Sequence, residues 1–285
     1  MDGTRNRQQI SIDALICRNS FLNIRNSEIN CNSNPAQIMA DIITLYDIPS
    51  RNSSKAWSPN LWKARLALNI KGLPYKTVWV EYPDIEQLCK KIGAAKTNSV
   101  AAPYTLPVIH DPAHNAVVSD SIEIARYLDN TYPDTPPLFP RGSEALQAAF
   151  QSAHENTVAQ AMYLIMLPLS CAQLNPVSEA YFRRTREGRF GMKMEEFSPL
   201  GPKRDLHWKA LGAGHQVMAG WLAKNGQGPF VMGDQISYAD ATIAAYLIWM
   251  RIVLGSDSAE WKDVLTWQDG RWSYPEWTCS SYCSV

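Results

Sequence analysis

A proline interrupts an otherwise strand-forming run, Tyr104-Thr105-Leu106-Pro107-Val108-Ile109-His110-Asp111. Proline cannot donate to a sheet ladder, so it either confines a strand to an edge or marks a special backbone. The segments around it narrow what the chain can become. Upstream, Ile42-Ile43-Thr44-Leu45-Tyr46-Asp47 is a β-branched apolar run that fits a buried strand. After a polar loop, Ser58-Pro59 opens Asn60-Leu61-Trp62-Lys63-Ala64-Arg65-Leu66-Ala67-Leu68, with serine and proline in the order of a helix cap and first-turn residue. Lys71-Gly72 supplies the stop, Gly72 being suited to a left-handed cap. Thr77-Val78-Trp79-Val80-Glu81-Tyr82 reads as a second strand parallel to the first. The stretch from there to Pro103 shows no regular pattern. Val117-Val118 reads as a short hairpin partner of the proline-bearing strand, and Asp120-Ser121 opens a further helix through Tyr127-Leu128.

The resulting order, β-α-β, then a β-β hairpin, then α, describes a thioredoxin-like α/β fold. Residues 132–143 hold four prolines and a glycine and form a stiff linker. From Glu144 to about Leu254 the pattern is helical, with breaks expected at Pro168, Pro176 and Pro199. Ser237 and Asp240 have the spacing of a capping box and start an apolar central helix over residues 241–250. The expected organisation is a flexible asparagine- and serine-rich extension (1–38), a thioredoxin-like domain (39–130), the linker (131–143), an all-α domain (144–272) and an irregular tail (273–285).

Bulk properties exclude several classes. The 285 residues are 46% hydrophobic, enough for a sizeable core. Lys plus Arg equals Asp plus Glu, 27 each, so no net basic charge drives nucleic-acid or membrane binding. No apolar run approaches the roughly 20 residues that span a bilayer, and no secretory signal is evident. The six cysteines are scattered and match no zinc or redox spacing, which predicts no metal site and a reducing, cytoplasmic setting. The run Arg183-Arg184-Thr185-Arg186 fits a solvated or salt-bridged helix face, with anion binding left open.

Four motifs, Ser58-Pro59 with the helix after it, Leu106-Pro107 in a strand, Asp120-Ser121 at a helix start, and Gly233-Asp234 with Ser237-Tyr238-Ala239-Asp240, together resemble glutathione transferases. The resemblance extends from about Ile42 to about Trp272. Ala56-Trp57-Ser58-Pro59-Asn60 and Thr105-Leu106-Pro107-Val108-Ile109-His110-Asp111-Pro112 look like a fungal serine-type class related to β-etherases, the FuA and etherase-like transferases.

The resemblance implies a co-substrate, glutathione, used as its thiolate. A thiol is a poor nucleophile, and a helix N-terminus favours the anion. Ser58 is then the catalytic hydroxyl that donates to the sulfur; the plainer alternative is a helix cap only, and Ser50, Ser53 or Ser54 could substitute. Serine, unlike cysteine, forms no mixed disulfide, so conjugation, ether cleavage or peroxide reduction is expected. Thr105, Leu106 and a cis Pro107 would hold the cysteinyl unit, and Asp120 and Ser121 the γ-glutamyl end. Met162, Tyr163 and Met166, with Leu167, are candidates for a hydrophobic pocket that takes an aromatic, plant- or wood-derived second substrate. The family also implies a homodimer and a role in xenobiotic detoxification. Two readings stay open beside it: a ligandin-like carrier without turnover, and a regulatory module of the same fold. Both ends depart from the family pattern, which more often closes with a helix where this chain has its serine- and cysteine-rich tail.

Overall fold

A computed structural model of the chain describes residues 42–97, 102–226 and 228–273; the expected extension and nearly all of the tail lie outside them. Strand β1 (Ile43–Asp47) is fully buried and leads through a loop to helix α1 (Pro59–Ile70). Strand β2 (Tyr75–Trp79) pairs parallel to β1, with Ile43 opposite Tyr75 and Asp47 opposite Trp79. Strands β3 (Val108–Asp111) and β4 (Ala116–Ser119) form a hairpin, and β3 runs antiparallel to β1. The sheet order is β2-β1-β3-β4, and helix α3 (Ser121–Thr131) closes the unit against α1. The thioredoxin-like order expected from the sequence is therefore present.

Two local expectations need correction. The irregular stretch after β2 contains helix α2 (Ile85–Ile92), ended by Gly93 at φ +74°. Its signal was available: Ile85, Leu88, Cys89 and Ile92 recur at helical spacing after Pro83. The proline-bearing strand begins only after the proline, because β3 starts at Val108 and Pro107 itself stays outside the ladder.

The second half is helical: α4 (Glu144–His154), a π-type turn (Glu155–Ala159), α5 (Gln160–Cys171), α6 (Pro176–Phe190), the short α7 (Met194–Phe197), α8 (Pro202–Leu222), α9 (Tyr238–Leu254) and α10 (Ala259–Val264). Pro176 is the first residue of α6 and Pro199 lies between α7 and α8, as breaks should. Pro168 does not break α5. A proline inside a helix costs ~3 kcal/mol, and α5 offsets that cost by burying Met162, Ile165 and Met166 on the same segment. Helix α8 crosses the π-type turn closely, and at Gly214 a side chain would meet the Thr157 carbonyl.

Helix α9 joins the two halves. Asp240 accepts from the Ser237 N–H and hydroxyl, both at 2.8 Å, and from the Val231 N–H at 2.8 Å, so the capping box is formed. The helix is buried nearly all round and lies against α1.

The position of α1 on the sheet is set by an ion pair in the interior. Asp47, at 0% exposure, ends β1, and Arg65 of α1 reaches it with N–O distances of 2.7 and 2.8 Å. Arg65 also donates to Thr77 on β2 at 3.0 Å and lies 5.3 Å from the Trp79 ring centre. Burial raises the Asp47 carboxyl above the ordinary range, and Arg65 opposes that shift. Removing one partner strands a buried charge, so Arg65→Met and Asp47→Asn should each cost about 3–5 kcal/mol. The double substitution should cost clearly less than their sum. Urea denaturation of the four proteins checks this; additive losses would show the pair to be uncoupled.

Candidate active site

A cavity of about 620 Å³ lies where the sheet half meets the helical half. It is bordered by Ser58, Thr105, Leu106, Pro107, Asp120 and Ser121, the sheet-half residues assigned to the catalytic and glutathione-binding roles from the sequence. They arrive from three places: Ser58 at the tip of α1, Thr105 to Pro107 before β3, and Asp120 and Ser121 at the start of α3. The loop after β1 turns into α1 at Ser58, whose backbone is extended (φ −70°, ψ 133°) and whose carbonyl accepts from the Leu61 and Trp62 N–H groups. The Ser58 side chain, at 7% exposure, makes no capping hydrogen bond. Its hydroxyl is thus left for a ligand. No acidic residue stands in the first turn of α1, so the positive end of the helix dipole is not neutralised by the protein.

The neighbouring serines are placed otherwise. Ser50 donates to the Lys55 carbonyl at 2.9 Å and Ser54 to the Ala56 carbonyl at 3.3 Å, while Ser53 is exposed. None of the three borders the cavity.

The Leu106–Pro107 peptide is cis, and the Pro107 carbonyl accepts from the Asp120 N–H at 3.2 Å, tying the two cavity edges together. Asp120 has φ +77°, a conformation that costs an aspartate of order 1–3 kcal/mol and that concentrates at ligand sites. Its carboxylate accepts from the Ile122 N–H at 2.9 Å, capping α3. Ser121 is buried beside it at the start of that helix.

The helical wall differs from the sequence expectation. Met162 and Met166 are fully buried in the core and do not reach the cavity. Tyr163 also lies off it, donating to Glu155 at 3.1 Å with its hydroxyl pushed up to about 12 by burial and that carboxylate, and Leu167 is absent from the lining. The wall is formed instead by Tyr181, Thr185, Arg186 and Arg189 of α6 with Gln151 of α4. These are helix-surface residues by pattern, and only the tertiary crossing of α6 over Tyr82 makes them lining.

Two further residues were not foreseen. Lys63, one turn beyond Ser58 on α1, borders the cavity at 9% exposure without a hydrogen bond or ion pair among the described residues. Burial lowers its pKa, and the charges of Asp120 and Glu155 oppose the shift. The Tyr238 hydroxyl is also buried at the cavity, beside Ser121. Lys63 is a group that a polar ligand would satisfy. The two described cysteines, Cys89 and Cys171, lie elsewhere; burial raises both, Cys171 to about 11, so neither offers a thiolate. No group of three or more His, Cys, Asp or Glu side chains is placed to share a metal ion among the described residues, and no helix there is long and apolar enough to cross a membrane.

A helix tip offering a hydroxyl, beside a cis-proline edge and an acidic-serine pair, on this two-part fold, defines a thiol-peptide transferase architecture. Family comparison gives the same class: residues 57–131 match the glutathione S-transferase N-terminal domain and residues 145–282 the C-terminal domain. The chain belongs to the glutathione S-transferase family. It is 32% identical over 260 residues to the glutathione S-transferase-like protein ustS of Aspergillus flavus, covering 82% of this chain and 92% of that one. Among solved structures it is similar to the glutathione S-transferase CsGST63524 of Ceriporiopsis subvermispora, solved in complex with glutathione (52% identity, TM-score 0.79, 81% of this chain and 94% of that one). It is also similar to GSTFuA3 of Phanerochaete chrysosporium (44% identity, TM-score 0.77, 81% and 93%).

Lys63 yields a prediction with a definite sign. Its folded pKa lies below the unfolded value of about 10.4. The fold therefore bears a charging penalty that is full below the folded pKa and vanishes as pH rises through the unfolded one. Lys63→Met should be more stable than the parent at pH 7 without ligand, and the gap should close toward pH 10. Denaturation midpoints at the two pH values measure it; a gap independent of pH would remove the charge from the account.

Proposed function

We propose that the chain is a glutathione transferase in which Ser58 stabilises the glutathione thiolate for attack on a hydrophobic aromatic substrate. The observation that carries this reading is the Ser58 hydroxyl: buried at the cavity, at an acid-free helix tip, and unused as a cap. A free thiol titrates near 8.5, so at neutral pH most of it is protonated. A hydroxyl donor and the α1 dipole both favour the anion. The thiolate then forms a carbon–sulfur bond, and the leaving group, a halide or an aryloxide, departs with the bonding electron pair.

The rest of the cavity suits the tripeptide. The Leu106 backbone beside cis Pro107 would take the cysteinyl unit, with Thr105 next to it, as an added strand takes main-chain partners. Ser121, at a helix start, suits the γ-glutamyl carboxylate, and Asp120 its ammonium. Tyr82 and Tyr181, stacked 5.6 Å apart at 12°, give the second substrate an aromatic wall. Plant- or wood-derived aromatics are the proposed class, in keeping with the resemblance to fungal FuA and etherase-like transferases. A homodimer, a cytoplasmic location and a detoxifying role complete the reading and rest on that resemblance.

Measurements on the parent and on one variant test it. The parent should be retained on immobilised glutathione, and its bound glutathione should show thiolate absorbance at neutral pH. Ser58→Ala should lower kcat/KM for a chloronitrobenzene by roughly 10²-fold, raise the bound thiol pKa, and leave the glutathione Kd within a few-fold. No turnover by a parent that binds glutathione would instead favour the ligandin-like carrier. Failure to bind it at all would leave the regulatory-module reading.

A further inference from the structure

We infer that the second substrate carries an anionic group, a carboxylate or phenolate on its aromatic ring, and that Arg186 is its specificity-determining partner; this rests on the transferase reading above. Arg186 reaches the cavity from α6 with its guanidinium 4.1 Å from the Phe182 ring centre and 5.3 Å from that of Tyr82. Aromatic faces hold a guanidinium plane in place without consuming its N–H donors. One donor goes to the Thr185 hydroxyl at 2.8 Å, and an arginine has five.

The nearby carboxylates are committed to other groups. Glu187 and Glu195 pair with Arg183, and Glu187 also with Lys193. Glu81, next to Tyr82, accepts from Asn175 and Ser178. Glu86 borders the cavity but is bound to Lys90 at 2.7 Å. Arg189 adds a second cation to the same wall, and neither it nor Arg186 has an ion-pair partner among the described residues. Lys63 also borders the cavity, from α1, and the charges of Asp120 and Glu155 act on it. A half-buried, pre-oriented guanidinium beside a stacked tyrosine pair is built for a planar aromatic acid, because a bidentate charge-assisted contact needs a fixed fork.

The test compares two electrophiles with the same reacting carbon, 4-chloro-3,5-dinitrobenzoate and its methyl ester. In both, the glutathione thiolate displaces chloride. For Arg186→Gln, kcat/KM for the acid should fall about 10- to 30-fold relative to the parent. The ester should change less than about 3-fold, and the KM for glutathione should stay within about 2-fold. Arg186→Lys, which keeps the charge but loses the fork, should fall between parent and Gln for the acid, and it serves in place of the Gln protein if that fails to fold. Equal losses for acid and ester would make Arg186 a packing residue and overturn the inference. So would a glutathione KM that rises as steeply as that of the acid, since Arg186 would then serve the tripeptide. A parent that does not bind glutathione defeats the underlying transferase reading, whereas a parent that turns over both electrophiles with no Arg186 effect defeats this inference alone.

Discussion

Asp47 ends the central strand with its carboxylate in the dry interior, and that is tolerable only because Arg65 reaches it from α1. The pair does more than neutralise itself. Arg65 stands seven residues beyond Ser58 on one helix, so pinning Arg65 to β1 and to Thr77 of β2 fixes the axis and the end of α1. The Asp47 carboxylate also accepts from the Ile48 N–H at 2.6 Å, which directs the start of the loop leading to Ser58. The role proposed for Ser58, a hydroxyl meeting a sulfur atom within hydrogen-bond tolerance, needs a helix that does not slide. Apolar contacts alone would hold α1 on the sheet but would not single out one rotation and one register.

The helical half enters the site through α9 and α6 in different ways. Helix α9 is a core element whose first residue, Tyr238, ends at the cavity because the capping box sets where the helix begins. Helix α6 is amphipathic and lies over the turn Tyr82–Asp84, where the Ser178 hydroxyl accepts from the Tyr82 N–H at 2.9 Å. With the Asn175 and Ser178 bonds to Glu81 and the Tyr82–Tyr181 stack, that bond sets which face of α6 looks into the cavity, and with it the placement of Tyr181, Thr185, Arg186 and Arg189. The side of the cavity proposed for the second substrate is thus decided by contacts between the halves. The end proposed for the tripeptide is drawn mainly from the sheet half.

This division explains what could be read in advance. The element order, the α1 and α3 starts and the Ser237–Asp240 box arise from residues adjacent in sequence, where local chemistry dictates the backbone. The cis Leu106–Pro107 peptide and the choice of Ser58, Leu106, Pro107, Asp120 and Ser121 followed from the family resemblance that those motifs carry, and the cavity does unite the five. Helix α2 was legible too, in the spacing of Ile85, Leu88, Cys89 and Ile92, but the prolines around it masked the pattern. The α6 wall was not legible. A methionine-rich apolar run such as Met162–Leu167 looks like a pocket lining and an arginine run looks like a solvated face. Only the crossing of α6 over Tyr82 reverses the two. Pro168 inside α5 is a similar case, in which burial outweighs a local preference that the sequence states correctly.

The chemistry also depends on what the protein withholds. A cysteine at the tip of α1 would itself be the activated thiol, and the protein would then trade disulfides with its ligand. With serine there, the tip of α1 holds a hydroxyl and a helix dipole but no sulfur. Cys89 is buried on α2, and Cys171 ends α5 with its pKa raised to about 11, so neither of the described thiols competes as a nucleophile. In the proposed reaction the thiolate is the ligand's. The cavity would then have to discriminate on two counts, recognising the tripeptide that brings the sulfur and the electrophile that meets it. In that reading the first task uses main-chain groups and a capped helix start, and the second falls to the side chains of α6, the element of the cavity whose residues can change without disturbing the Asp47–Arg65 pair or the end of α1.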